Sequence, residues 1–194
     1  MFNRLLFTAC VAAIIAAPAL AQTAALEDLP QRDRIEWIDA AKSAGHTGIA
    51  RKTRPVDARL TEPGEIIVTK IAGQGTETRS KPAGEGDWVV RNRCDQTGDE
   101  EYLVSAAKFP SRYGDPVSEP DAGGYREFRP TGRDMTYAIV PEADGEFAIE
   151  APWGELQRVL PGDAIVQVPD DMNDTYRVEA RAFECTYEIV EPAK

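Results

Sequence analysis

The sequence predicts a mainly β (α+β) protein, with an N-terminal helix followed by two tandem, related small β-rich units of barrel- or sandwich-like form. Three observations predict it. First, one pattern is spelled twice. It reads Gly86-Asp87-Trp88-Val89-Val90, a polar loop, Tyr102-Leu103-Val104, Phe109 and Tyr113, then Gly162-Asp163-Ala164-Ile165-Val166, a polar loop, Tyr176-Arg177-Val178, Phe183 and Tyr187. From the tyrosine onward the copies align without a gap at an offset of 74, and at the Gly-Asp pair the offset is 76. Second, the apolar runs are short, rich in β-branched and aromatic residues, and bounded by Gly, Pro and Asp, which is strand-and-turn chemistry. Third, only one stretch carries helical periodicity, and it precedes both copies.

Residues 1–21 read as a signal peptide. Arg4 supplies the positive start, Leu5 to Ala17 the apolar run, and Ala19-Leu20-Ala21 the small-residue cleavage site. Cleavage before Gln22 places the mature chain in a bacterial periplasm or beyond. Residues 22–45 hold a leader and a helix predicted over Leu29 to Ala44, capped by Asp28, with Gln31 at the capping-box position and Gly45 as the αL stop. Unit one spans 46–114. Glu65 to Ile71 reads as a strand with Ile66 and Val68 on one face, Gly73-Gln74-Gly75 turns the chain, and Glu77 to Lys81 returns. Trp88 to Val90 and Tyr102 to Val104 follow as strands, and Ser105 starts a short turn that Pro110 stops. Residues 115–124 form a linker. Unit two, 125–194, repeats the plan with strands over Glu146–Glu150, Leu156–Leu160, Ile165–Val168 and Thr175–Val178. Alternation of Phe183, Cys185, Tyr187 and Ile189 predicts a closing strand.

Pro161-Gly162-Asp163 has a mechanical reading. Pro pre-sets the first central position of a type II turn, Gly takes the positive φ of the second, and Asp bonds nearby backbone amides. Gly86-Asp87 is the same turn without its proline. The Arg51-x-x-Arg54-Pro55 and Arg126-x-x-Arg129-Pro130 starts, offset by 75, together with Pro161-Gly162-Asp163, Tyr102, Tyr176 and the two Phe-x-x-x-Tyr endings, resemble a bacterial and phage family named for a Pro-Gly-Asp-Tyr-Gly motif. Here Ala164 and Trp88 stand where that motif has tyrosine. The resemblance implies two related β-rich units and no assigned activity.

Removal of the signal leaves 21 basic against 33 acidic residues, a net charge of −12, which argues against nucleic acid and anionic membrane surfaces as partners. It also leaves Cys94 and Cys185, a disulfide candidate in an oxidising compartment. No Gly-x-Ser-x-Gly, His-Glu-x-x-His or Cys-x-x-Cys is present, so no catalytic set, metal site or cofactor is expected; the lone His46 follows the helix. Two corresponding acidic loops, Asp95 to Glu101 and Asp170 to Asp174, read as solvated turns rather than calcium sites. Arg51, Arg54, Arg126 and Arg129 read first as ion-pairing residues and second, with Trp153, as ligand contacts. The leading function is a non-catalytic exported interaction or ligand-binding module, its partner an envelope protein or small ligand. A carboxylate-dependent cell-wall hydrolase and a structural envelope component are the alternatives.

Overall fold

The computed structural model describes residues 25–194, so the expected signal peptide lies outside the described residues. The protein is mainly β, as expected. The chain enters through a short strand β1 (Gln31–Arg32) and helix α1 (Arg34–Ser43). Seven strands and one short helix then run in the same order twice. The first copy is β2 (Gly48–Lys52), β3 (Val56–Leu60), β4 (Val68–Ile71), β5 (Gly75–Arg79), β6 (Trp88–Asn92), β7 (Glu101–Val104), α2 (Phe109–Arg112) and β8 (Tyr113–Pro116). The second is β9 (Arg126–Pro130), β10 (Asp134–Ile139), β11 (Phe147–Glu150), β12 (Leu156–Val159), β13 (Ala164–Val168), β14 (Asp171–Val178), α3 (Ala180–Thr186) and β15 (Tyr187–Glu191).

The two copies exchange their first strands. One five-stranded sheet has the order β7-β6-β3-β9-β8 and the other β14-β13-β10-β2-β15. Strand β9 of the second copy therefore lies inside the first copy's sheet, and β2 of the first lies inside the second's. The pairing also sets the true equivalence of these strands. Ala58 of β3 faces Val90 and Arg126, whereas Tyr137 of β10 faces Val166 and Gly48. Since Val90 and Val166 are equivalent, Gly48 matches Arg126, an offset of 78. The two Arg-x-x-Arg-Pro starts at offset 75 are thus out of step with the fold, and Lys52 corresponds to Pro130. A slip of three residues would turn the wrong side chains inward, because strand side chains alternate with a period of two.

Two buried clusters follow this equivalence position by position. Val56, Ala58, Trp88, Val90, Val104, Phe109, Tyr113 and Phe128 make the first. Met135, Tyr137, Ala164, Val166, Val178, Phe183, Tyr187 and Ala50 make the second. Where one copy has a large side chain, the other compensates nearby. Trp88 stacks on Phe109 at 4.1 Å, whereas its counterpart Ala164 leaves room that Tyr137, the counterpart of Ala58, fills by packing on Phe183 at 5.0 Å. Volume is conserved around each phenylalanine although the residues are not.

A third cluster sits on the outer side, where Ile38 of α1 meets Phe147, Ile149, Val159 and Ile165. The helix starts later than the sequence predicts. Its N-cap is Asp33, whose Oδ1 accepts from Ile35 N at 2.7 Å and Glu36 N at 2.9 Å, because Gln31 and Arg32 pair with β11 instead of coiling. Tertiary pairing overrides the capping signal at Asp28. The stop is as expected: Gly45 has φ +73°, and the Gly45 and His46 amides bond back to Lys42 and Ala41 as a Schellman motif.

Four expectations about individual elements are corrected. In the first hairpin the strand is Val68–Ile71 and does not reach back to Glu65; Ile66 and Val68 share one side as expected, but it is the outer one, with Ile67, Thr69 and Ile71 buried. Pro110 does not stop a turn but stands at the start of α2, where its missing N–H costs nothing. Phe183 and Cys185 belong to α3, and the closing strand begins at Tyr187. Part of the expected linker, Asp115 and Pro116, is strand β8.

Candidate functional site

The repeated Gly-Asp turns are built alike. Gly86 and Gly162 have φ of +79° and +90°. Asp87 accepts from the amides of Gly84 and Ala106 at 2.8 and 2.9 Å, and Asp163 from those of Leu160 and Ala180 at 2.7 and 3.1 Å. Each aspartate thereby ties the strand entry to the chain leading into its short helix. The copies differ in one respect. Asp163 also accepts from Nε of Arg177 at 2.8 Å, and Arg177 replaces Leu103 of the first copy. Arg177 is fully buried, and its Nη1 lies 2.9 Å from Glu77. Burial pushes the Glu77 and Asp163 carboxyls above their ordinary range, with the Arg177 guanidinium opposing, while the two carboxylates hold that guanidinium charged.

Glu77 and Arg177 open onto a cavity lined from both sheets, with about 120 Å³ of room for the centres of water-sized atoms. Its centre is a tyrosine quartet made by the repeat itself. Tyr102 and Tyr113 share a hydroxyl hydrogen bond of 2.9 Å, and their counterparts Tyr176 and Tyr187 lie close enough to interact. Burial raises Tyr113 to about 12 and holds Tyr102 and Tyr187 well above their ordinary range, so all three present neutral hydroxyls. Met135, Val168, Val178 and Trp153 supply apolar wall, Trp153 lying 6.1 Å from the Tyr176 ring.

Charge enters this aromatic space from one copy at a time. Lys52 Nζ donates to Asn92 Oδ1 at 2.7 Å and to Tyr102 OH at 2.9 Å, and lies over the rings of Tyr102 and Tyr187. Protein crowds it on all sides, yet part of its surface stays open to the cavity. Desolvation lowers its pKa to about 8, against the pull of Glu100 and with a push from Arg112. Arg112 stacks over Tyr176 at 5.1 Å and donates to Asp174 at 2.7 Å. The counterparts of Lys52, Arg112 and Arg177 are Pro130, Thr186 and Leu103, so none of these three cations is matched across the repeat. The acids are matched: Glu100 and Asp174 are equivalent, and both are buried. They are therefore not the solvated turn residues that the acidic loops suggested. Glu100 accepts from Asn92 at 2.6 Å and from the Thr97 hydroxyl.

Of the residues that the sequence offers as ligand contacts, Trp153 alone lines the cavity. Arg51 pairs with Asp134, its cross-strand neighbour, at 2.6 Å, which is the ion-pairing role. Arg126 bonds the Ser118 carbonyl at 3.0 Å, and Arg54 and Arg129 are exposed. Lys52, Arg112 and Arg177 do not stand out in the sequence by any motif. The signal available for them is the exception: a charge where the other copy has Leu, Thr or Pro. His46 is exposed, and among the described residues no three His, Cys, Asp or Glu side chains gather as a metal site.

Cys94 and Cys185 are not bonded in the structure, a departure from the disulfide reading; the thiols are close enough to interact, and each donates to a backbone carbonyl, Cys94 to Arg181 and Cys185 to Arg93, at 3.8 Å. Burial and the Cys94 thiol push Cys185 up to about 11. The contact joins the loop after β6 to α3, one copy to the other. No helix among the described residues is long and apolar enough to cross a membrane. No protein-family model, no curated protein and no solved structure matches this chain.

Proposed function

We propose that the chain is an exported, non-catalytic binding module of the bacterial envelope, and that the cavity between its sheets takes a small ligand. The observation that carries this reading is the placement of asymmetry. The frame is duplicated down to its core clusters and turns, yet three cations without counterparts, Arg177 buried and Lys52 and Arg112 half-buried, converge on one aromatic-lined cavity. Arg177 and Arg112 are ion-paired, but Lys52 is largely desolvated with only neutral hydrogen-bond partners, a cost that scaffolding does not require, and it points to recognition. A hydrolase using paired carboxylates has less support. Glu77 is held by Arg177 and Gln157, Asp174 by Arg112 and Lys108, and Glu100 by Asn92 and Thr97, so each carboxylate is already engaged.

A ligand-observed NMR screen of the mature protein tests the binding reading. Saturable binding that Trp153→Ala weakens is the expected result. Peptidoglycan turnover that vanishes in Glu77→Gln, with the fold intact, would replace it by the enzyme reading. Export implies an N-terminus at Gln22 in protein recovered from the periplasm, which Edman sequencing reads directly. In that compartment the adjacent Cys94 and Cys185 thiols should be oxidised to a disulfide that stabilises by roughly 4 kcal/mol through loop closure. Intact mass of the recovered protein, two hydrogens light, is the expected sign; two alkylatable thiols would reject it.

A further inference from the structure

We infer that the ligand of this cavity is a small organic carboxylate with a flat apolar body, its anionic end held between Lys52 and Arg112 and its body against Tyr176, Trp153 and Met135. This rests on the binding reading above and names the class of ligand. Four cations line the cavity: Lys52, Arg112, Arg133 and Arg177. Arg177 has Glu77 and Asp163, Arg112 has Asp174, and Arg133 has Asp170. Of these four, Lys52 alone has no carboxylate within salt-bridge distance among the described residues. Its two partners, Asn92 Oδ1 and Tyr102 OH, use two of its three N–H donors. The third is left for a group in the cavity.

The rest of the cavity selects the ligand's charge and shape. A cationic ligand is disfavoured, because the tyrosine faces that would cage it already carry Lys52 and Arg112. A bare inorganic anion would leave the apolar walls in contact with water. A planar apolar body fills them, and ring stacking on Tyr176 and Trp153 orients it. The carboxylate then completes a charge cluster in which Lys52 and Arg112 otherwise repel each other.

The ligand's charge also couples binding to protons. The groups that face Lys52 are Glu100 before β7, Tyr102 on β7, Arg112 on α2, Tyr113 on β8, Cys185 on α3 and Tyr187 on β15. The tyrosines and Cys185 stay neutral until well above pH 8 and Arg112 stays charged, so Lys52 is the group that changes there. A bound carboxylate favours the ammonium. Affinity is therefore highest below the free-state value of about 8 and falls as pH rises beyond it.

The experiment titrates the mature protein with benzoate, phenylacetate and indole-3-acetate, with their primary amides, and with sulfate, by isothermal calorimetry at pH 7 and pH 9. At least one aryl carboxylate is expected to bind with a dissociation constant on the order of a millimolar or tighter. Its amide and sulfate should bind at least tenfold more weakly, and its own affinity should drop at pH 9. Lys52→Met and Lys52→Gln, each checked for folding by near-UV circular dichroism, should lose at least tenfold in carboxylate affinity; if one does not fold, the other decides. Amides that bind as well as acids would overturn the ligand class and leave the cavity reading standing. Carboxylate binding untouched by either Lys52 variant would overturn the placement. Binding of none of the probes would overturn both readings.

Discussion

Asp87 and Asp163 occupy equivalent turns, yet they should tolerate loss very differently. Asp87→Ala gives up two hydrogen bonds to backbone amides and should cost about 1–3 kcal/mol. Asp163→Ala gives up the same two and also strands one side of the buried Arg177, so about 3–5 kcal/mol is expected. Urea unfolding midpoints of the two variants measure the contrast; equal losses would mean that Glu77 alone satisfies Arg177. Lys52 carries a second residue-level prediction. Its folded-state pKa, about 8, lies below the unfolded 10.5, so the unfolded chain binds the extra proton between those values and stability rises with pH across that window. Lys52→Met removes this term. The stability of the wild type relative to the variant should climb by up to about 3 kcal/mol from pH 7.5 to 10.5. A difference flat in pH would show that Lys52 is well solvated.

At the scale of elements, the end of β15 is fitted against β2. A Cβ added at Gly48 would stand 2.4 Å from the Glu191 carbonyl oxygen, 2.5 Å from the Ala193 amide nitrogen and 2.6 Å from the Tyr137 ring. Two of the three obstacles are backbone, so they cannot simply turn aside. Gly48→Ala should displace the chain end, break the Ala193 N–H bond to Tyr137 OH, and cost about 1–3 kcal/mol. Limited proteolysis should then trim the C-terminus of the variant faster than that of the wild type, and unchanged trimming would count against the fit. The start of α1 is likewise decided by a neighbouring element. Asp28 and Gln31 spell a capping box, but a hydrogen-bonded partner strand, β11, is close enough in space to claim Gln31 and Arg32. The Arg32 guanidinium over the Phe147 ring at 4.5 Å adds to that pairing.

In the whole molecule, the exchange of β2 and β9 makes each sheet depend on both copies. It also decides which partner each copy accepts. If the first copy paired with itself, Ala50 would stand where Phe128 fills the core beside Trp88, a deletion of the kind that costs about 3–5 kcal/mol. If the second paired with itself, Phe128 would be forced into the site of Ala50, next to Tyr137 and Phe183. The two copies are complementary as a pair and mismatched alone. Splitting the chain within the exposed segment 118–124 should give fragments that are unfolded or aggregated separately and form a one-to-one folded complex when coexpressed. Size-exclusion chromatography and circular dichroism test this, and a fragment folding alone would refute the dependence.

Taken alone, the sequence determined the β-rich class, the duplication and the Gly-Asp turns, because each rests on short-range chemistry: β-branched runs, the positive φ of Gly162, the alignment of Phe109 and Tyr113 with Phe183 and Tyr187. The tertiary structure alone decided which strands pair. Nothing local tells β2 that its neighbours are β10 and β15, and the Arg-x-x-Arg-Pro match, three residues out of step, concealed the equivalence of Lys52 with Pro130. The site depends on that pairing. Lys52, Arg112 and Arg177 lie far apart in the chain and read separately as surface charges. They become a set only when exchanged strands bring them to one cavity, where the low polarity of the surrounding tyrosines turns ordinary cations into a binding feature.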